Sequence, residues 1–245
     1  MFDSFPLNST CLITGPPGVG KFEYCCELAI RFIKQRGRVV FVAIDVDPAE
    51  VRRLATRRGM DISRSRKSIF VHCVSPYVPA SPCCELAHDC CVKSDTTVES
   101  VATAIGRAIS YVGEPTRAIV FTASSLLLYN SPKDVIKLCH LVANQVKSEY
   151  GFVTFVLHSG VHSPDLQVVL RSFVDGVINW RFGENLRREY RVSYYRGLST
   201  SPLWREFHIT KAEGPSEAEE TPPLWLVQKE MRLDGVADDE ASELL

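Results

Sequence analysis

An α/β fold with a parallel central sheet flanked by helices is the class this sequence predicts, on three observations. Apolar runs rich in β-branched residues alternate with segments of helical spacing. The runs are continuous rather than alternating, as in strands covered on both faces. A glycine-rich turn joins the first run to the first helical segment, giving a strand, turn and helix over residues 10–32.

In chain order, strands are expected at residues 11–14, 39–45, 69–74, 118–122 and 153–158. Helical spacing falls between them, at residues 23–35, 48–58, 98–112 and 133–148. Asp47-Pro48-Ala49-Glu50 and Ser131-Pro132-Lys133-Asp134 have the form of a helix cap followed by proline at the first helical position. Residues 75–96 break the alternation with Pro76, Pro79 and Pro82 and read as a long loop or lid. A short helix follows at residues 163–173. Then come strands at 176–182, 189–195 and 205–210, read as antiparallel additions to the sheet edge. Residues 213–223 have linker composition, 224–227 are apolar and the end is acidic. The division expected is a domain over residues 1–212 and a tail over 213–245, with no internal repeat.

With 245 residues, 45% hydrophobic and 23% charged, the chain has ordinary soluble-globular composition. A net charge of −1 argues against a general polyanion binder. No run of eighteen apolar residues suggests a membrane span, and the first ten residues lack the pattern of a signal peptide. A cytoplasmic protein is expected.

The most specific chemistry lies in Gly15, Pro16, Pro17, Gly18, Val19, Gly20 and Lys21, which follow the order G-x-x-x-x-G-K. That spacing suits a loop whose backbone N–H groups converge on an anion at a helix N-terminus. Lysine adds a point charge at the β- and γ-phosphates. The next position calls for a serine or threonine hydroxyl to hold Mg²⁺. Phe22 stands there, followed by Glu23, which suits the first turn of a helix. The plain alternative is a glycine-rich turn that binds nothing.

Nine cysteines without a secretory signal read as thiols rather than a disulfide framework. Cys11, Cys73 and Cys139 sit in apolar patterns and are expected in the core. Cys83, Cys84, His88, Cys90 and Cys91 cluster in the proline-rich stretch. Zinc on three thiolates and His88, a redox-sensitive lid and simple packing are the three readings. Packing is preferred to zinc, because adjacent cysteines chelate one tetrahedral ion poorly. Arg52, Arg53, Arg57, Arg58, Arg64, Arg66 and Lys67 form a basic stretch, read as a solvated face in preference to a DNA-binding surface.

Together the glycine-rich loop, VVFVAID, IVFTASSLLLY and REYRVSYYRGLSTSPLWREFHIT resemble the archaeal KaiC-like branch of the RecA superfamily ATPases, over residues 12–210. The resemblance implies a RecA-like P-loop fold with antiparallel C-terminal strands, and ATP or ADP as ligand. It implies that basic residues before a glycine in the C-terminal block reach the nucleotide of a neighbouring subunit. Arg196 before Gly197 matches, while Tyr194 stands where the family has a lysine. The Walker B acid falls on Thr122. The catalytic glutamate falls on Asp45, one methylene shorter, with Val46 behind it. The polar γ-phosphate sensor falls on His158, followed by Ser159. Asp45 also reads as a cap for the following helix, and His158 as a histidine hydrogen-bonded at the core edge.

Phe22 and Thr122 remove both Mg²⁺-holding positions, on which phosphoryl transfer depends electrostatically. The expectation is a nucleotide-binding protein with weak or absent ATPase activity. It would act as a regulatory or assembly partner of itself or of a KaiC-like paralogue. The alternatives are a slow ATPase in which Glu23 and Asp45 substitute for the lost groups, and a RecA-like recombination accessory binding DNA through the basic stretch.

Overall fold

The structure, a computed structural model, describes residues 8–35, 37–57, 68–73, 91–113, 115–148, 151–201 and 203–208. The chain begins with β1 (Ser9–Gly15), α1 (Lys21–Lys34), β2 (Arg38–Ala43), α2 (Pro48–Arg57), β3 (Ser68–Cys73) and β4 (Cys91–Ser94). It continues with α3 (Val98–Val112), β5 (Thr116–Phe121), α4 (Ala123–Leu126), α5 (Pro132–Ser148), β6 (Phe152–His158) and α6 (Pro164–Phe173). It closes with β7 (Gly176–Phe182), β8 (Arg188–Tyr195) and β9 (Arg205–Glu206).

Among the described residues the strands form one sheet in the order β4-β3-β2-β5-β6-β1-β7-β8-β9. From β4 to β7 every neighbouring pair is parallel. β8 and β9 are added antiparallel. This is the expected fold class, with two corrections to its parts. Residues 176–182 were expected to be antiparallel, but β7 pairs parallel with β1 from Cys11↔Gly176 to Thr14↔Asn179. Periodicity marks a strand but carries nothing about its direction. Of the loop expected over residues 75–96, residues 75–90 lie outside the described residues, and 91–94 form β4, in which Cys91 pairs in register with Phe70 of β3. Four residues are too few for a periodic signal.

Both faces of the sheet are covered, which explains the unbroken apolar runs. Alternate residues of each strand divide between two cores. Val40 and Val42 of β2 join Val101 and Ile105 of α3 and Leu138 and Val142 of α5 on one face. Val39 and Phe41 join Cys25, Ala29 and Phe32 of α1 on the other. Cys11, Cys73 and Cys139 are buried as expected, and burial pushes the Cys73 and Cys139 thiols up to about 12.

Helix starts follow the predicted caps. Asp47 accepts from the Ala49 N–H at 2.8 Å. Ser131 and Asp134 cap reciprocally, with Oγ–H donating to the carboxylate at 2.6 Å and the Asp134 N–H donating back at 3.3 Å. Asp45, read also as a cap, lies beyond the end of β2, and among the described residues it accepts from the Thr122 and Ser125 hydroxyls. Because β1, β2, β5 and β6 are parallel, Gly15, Ala43, Phe121 and His158 lie at one edge of the sheet. Open α/β folds place ligands at that edge.

Candidate functional site

The glycine-rich loop leaves β1 at Gly15, and the fold dictates that residue. A Cβ there would lie 2.6 Å from the Trp180 Cβ and 2.9 Å from its carbonyl oxygen, so β7 packs too closely for any side chain. Gly18 and Gly20 have φ of 76° and 102°, a region that glycine enters without steric cost. Gly20 then caps α1, and Val19 anchors the turn with a fully buried side chain. The first N–H groups of a helix have no intrahelical partner, so the start of α1 is a donor array set against this turn.

Lys21 begins α1 and is 3% exposed. Its Nζ donates to the Gly15 and Pro16 carbonyls at 2.6 and 2.5 Å. Burial pushes its pKa down to about 8, against a smaller opposing effect of Cys25. The ammonium is thus held within the loop by neutral acceptors, and a bound anion would restore its charge more effectively. A positive-φ glycine turn, a helix start and a buried cation together fit a phosphate group.

The residues beside Lys21 do not fit Mg²⁺. The Phe22 ring packs on Phe121, the last residue of β5, with centroids 5.3 Å apart. An apolar ring thus occupies the position from which a hydroxyl would coordinate. Thr122, which the resemblance matches to the Walker B acid, is fully buried and donates its hydroxyl to Asp45 Oδ2 at 2.8 Å. Ser125 of α4 donates to the same oxygen at 2.8 Å, and the two hydroxyls are 2.9 Å apart. Asp45 is exposed, yet one of its carboxylate oxygens is committed to this cluster. Glu23 lies in the first turn of α1, where its charge complements the helix dipole.

His158 ends β6 in register with Gly15. Its backbone N–H donates to Ser124 Oγ at 2.7 Å, and the Ser159 N–H donates to the Gly15 carbonyl at 2.9 Å. Among the described residues its ring nitrogen Nδ1 is buried without a hydrogen-bond partner. Burial lowers the ring's pKa, and Lys21 lowers it further. Sequence reasoning missed Ser124, Ser125 and His162. Their signal was three-dimensional, because α4 is a single turn and His162 falls in a loop.

The structure does not bring Arg196 to this edge. It follows β8 at the opposite end of the sheet, where its N–H donates to the Asp175 carbonyl and its guanidinium meets Asp175 Oδ1 at 3.1 Å. Within one chain it lies at the sheet edge opposite Lys21. Arg52 of the basic stretch lies over the Phe70 ring, 4.8 Å from its centroid, rather than standing free in solvent. Arg53 and Arg57 are exposed, and residues 58–67 lie outside the described residues. Cys83, Cys84, His88 and Cys90 also lie outside them. Among the described residues no group of three or more metal-ligating side chains occurs. No helix among them is long and apolar enough to cross a membrane.

A mostly parallel sheet, a glycine-rich loop leading into a helix with a buried lysine, and antiparallel strands at the C-terminal edge define a RecA-type P-loop protein. The family model described as ATPase, KaiC, matches residues 1–216, and the chain belongs to that family. Membership carries nucleotide binding through the P-loop. Among solved structures the chain is similar to a KaiC-like protein from the hyperthermophilic archaeon Pyrococcus horikoshii OT3. The two are 16% identical with a TM-score of 0.63, over 84% of this chain and 88% of that one. At that identity the likeness carries the fold. No curated protein matches the sequence.

Proposed function

We propose that this chain binds ATP or ADP at Gly15–Lys21 and hydrolyses ATP weakly or not at all, serving as a regulatory or assembly partner of itself or of a KaiC-like paralogue. The observation that carries this reading is the Phe22–Phe121 contact, 5.3 Å between centroids, beside the Thr122–Asp45 hydrogen bond. An aromatic pair and a committed hydroxyl stand where a phosphoryl-transfer site holds its metal.

Steady-state hydrolysis with Mg²⁺ tests it. Turnover near background is expected, and about 1 s⁻¹ or faster would overturn the reading. The slow-ATPase alternative draws on Asp45, which stays exposed at the strand edge and acts electrostatically on His158. For assembly, what supports self-association or pairing with a paralogue is the match of Arg196-Gly197 to the family pattern, with the Arg196 side chain largely exposed beside Asp175. Light scattering with and without ATP should show association. A strict monomer that co-purifies with no KaiC-like ATPase would remove this part.

A further inference from the structure

The outer strands of the sheet carry a face that the core does not use. Tyr190, Val192 and Tyr195 of β8 pack into the core on the α1 side. Alternation along the strands turns Arg181 of β7 and Arg191 of β8 to the other side. Trp204, just before β9, joins them there. The Arg181 guanidinium lies 4.0 Å and the Arg191 guanidinium 4.6 Å from its ring centroid. Trp204 is half-buried, and the Arg181 side chain is 48% exposed.

Arginine stacks on an aromatic ring through its flat face, which leaves its N–H edge free for a two-point contact with a carboxylate. Arg181 uses its Nε on Glu189 at 2.7 Å, and Arg187 meets Glu206 at 3.4 Å. Arg191 stacks on Trp204 and makes no ion pair among the described residues. Three arginines therefore share two carboxylates on this face, and a further acid is needed to balance it.

The chain itself supplies one. Residues 209–245, which lie outside the described residues, carry ten acidic and three basic side chains, so the rest of the chain is net positive. Their first acidic run, Glu213, Glu217, Glu219 and Glu220, falls within fourteen residues of Glu206 in β9. Two strand spacings, about 10 Å, separate β9 from β7, and an extended chain covers ~3.3 Å per residue. The run thus reaches the face with slack. A short tether gives an effective concentration on the order of millimolar, at which weak ion pairs suffice.

We infer that residues 213–220 dock on the Arg181–Trp204–Arg191 face of their own chain, with glutamates pairing to the free guanidinium edges. Glu217 and Glu219 are two residues apart, so an extended segment presents both to one side.

The test is NMR relaxation of the full chain, read as amide order parameters of residues 213–220. They should lie above about 0.6, the limit of flexible backbone, in ~0.1 M salt. They should fall below it in ~1 M salt, where the screening length shrinks to ~3 Å. The double variant Arg181→Gln, Arg191→Gln should show the same loss at low salt. Values that are low in the wild-type chain at low salt, or equally high in the folded variant, overturn the docking. Values that fall on dilution assign the contact to a second copy and also overturn it. If the arginine variant does not fold, the full chain with Glu213→Gln, Glu217→Gln, Glu219→Gln and Glu220→Gln decides. Its Trp204 indole N–H and Arg191 Nε–H signals should shift from their wild-type positions. Signals that stay in place overturn the proposal, and if they then move on addition of an oligonucleotide, the face belongs to an external polyanion instead.

Discussion

The Thr122 hydroxyl donates to the Asp45 carboxylate across 2.8 Å, joining the ends of β5 and β2 at the edge where the P-loop opens. By the resemblance these two residues match the Walker B acid and the catalytic glutamate, and here they bind each other. A double-mutant cycle of Thr122→Val and Asp45→Asn, followed by urea unfolding, should give a coupling energy of about 1 kcal/mol. Additive effects would show that the contact contributes nothing. Ser125 remains able to donate to Asp45 in Thr122→Val, which keeps the expected value modest.

Restoring both metal positions should change the chemistry. Phe22→Thr removes the ring from Phe121, and Thr122→Asp sets a new carboxylate against that of Asp45. Like charges that close repel, so the double variant should melt lower than wild type without metal and regain stability with Mg²⁺. Mg²⁺-dependent turnover should rise above that of wild type. A double variant indifferent to Mg²⁺ in both respects would show that these positions do not correspond to the family's metal site.

A structural prediction concerns Asp175, between α6 and β7. Its carboxylate accepts from the Thr10 N–H and hydroxyl, both at 2.9 Å, and meets Lys147 at 2.5 Å and Arg196 at 3.1 Å. Burial pushes its pKa up, but the hydrogen bonds from Lys147 and Thr10 outweigh this and hold it below the usual carboxylate value. Because folding lowers the pKa, the stabilisation is complete above the unfolded value of about 3.9 and is lost as pH falls through the folded value. Asp175→Asn should cost about 2 kcal/mol at pH 7, and the gap between wild type and variant should narrow as pH falls below about 4 in denaturant melts. A gap that does not narrow between pH 7 and pH 3 would assign the loss to packing instead.

The ends of the central strands and their helices were legible in the sequence to within two residues, because both faces are buried and the runs are unbroken. Gly15 was legible because the close approach of β7 demands glycine there, and Lys21 because the G-x-x-x-x-G-K spacing sets a lysine at the start of α1. What stayed hidden was contact across the sheet. Thr122 and Asp45 are 77 residues apart in sequence, and no local pattern joins them. Phe22 was read as a missing hydroxyl, whereas the structure gives its ring a partner in Phe121. The parallel direction of β7 follows from its register with β1, which local periodicity does not encode. His162 lies in a loop, where no periodicity singles it out.

Calorimetric titration of ATP into the full chain at fixed pH, with Mg²⁺ and again in EDTA, tests the central claim most directly. The account predicts similar affinity in both conditions, because Phe22 and Thr122 leave the metal nothing to bind. It also predicts that Lys21→Ala weakens binding by about 1.5–3 kcal/mol, the value of a charge-assisted contact. Binding that requires Mg²⁺, or that Lys21→Ala leaves unchanged, would contradict it.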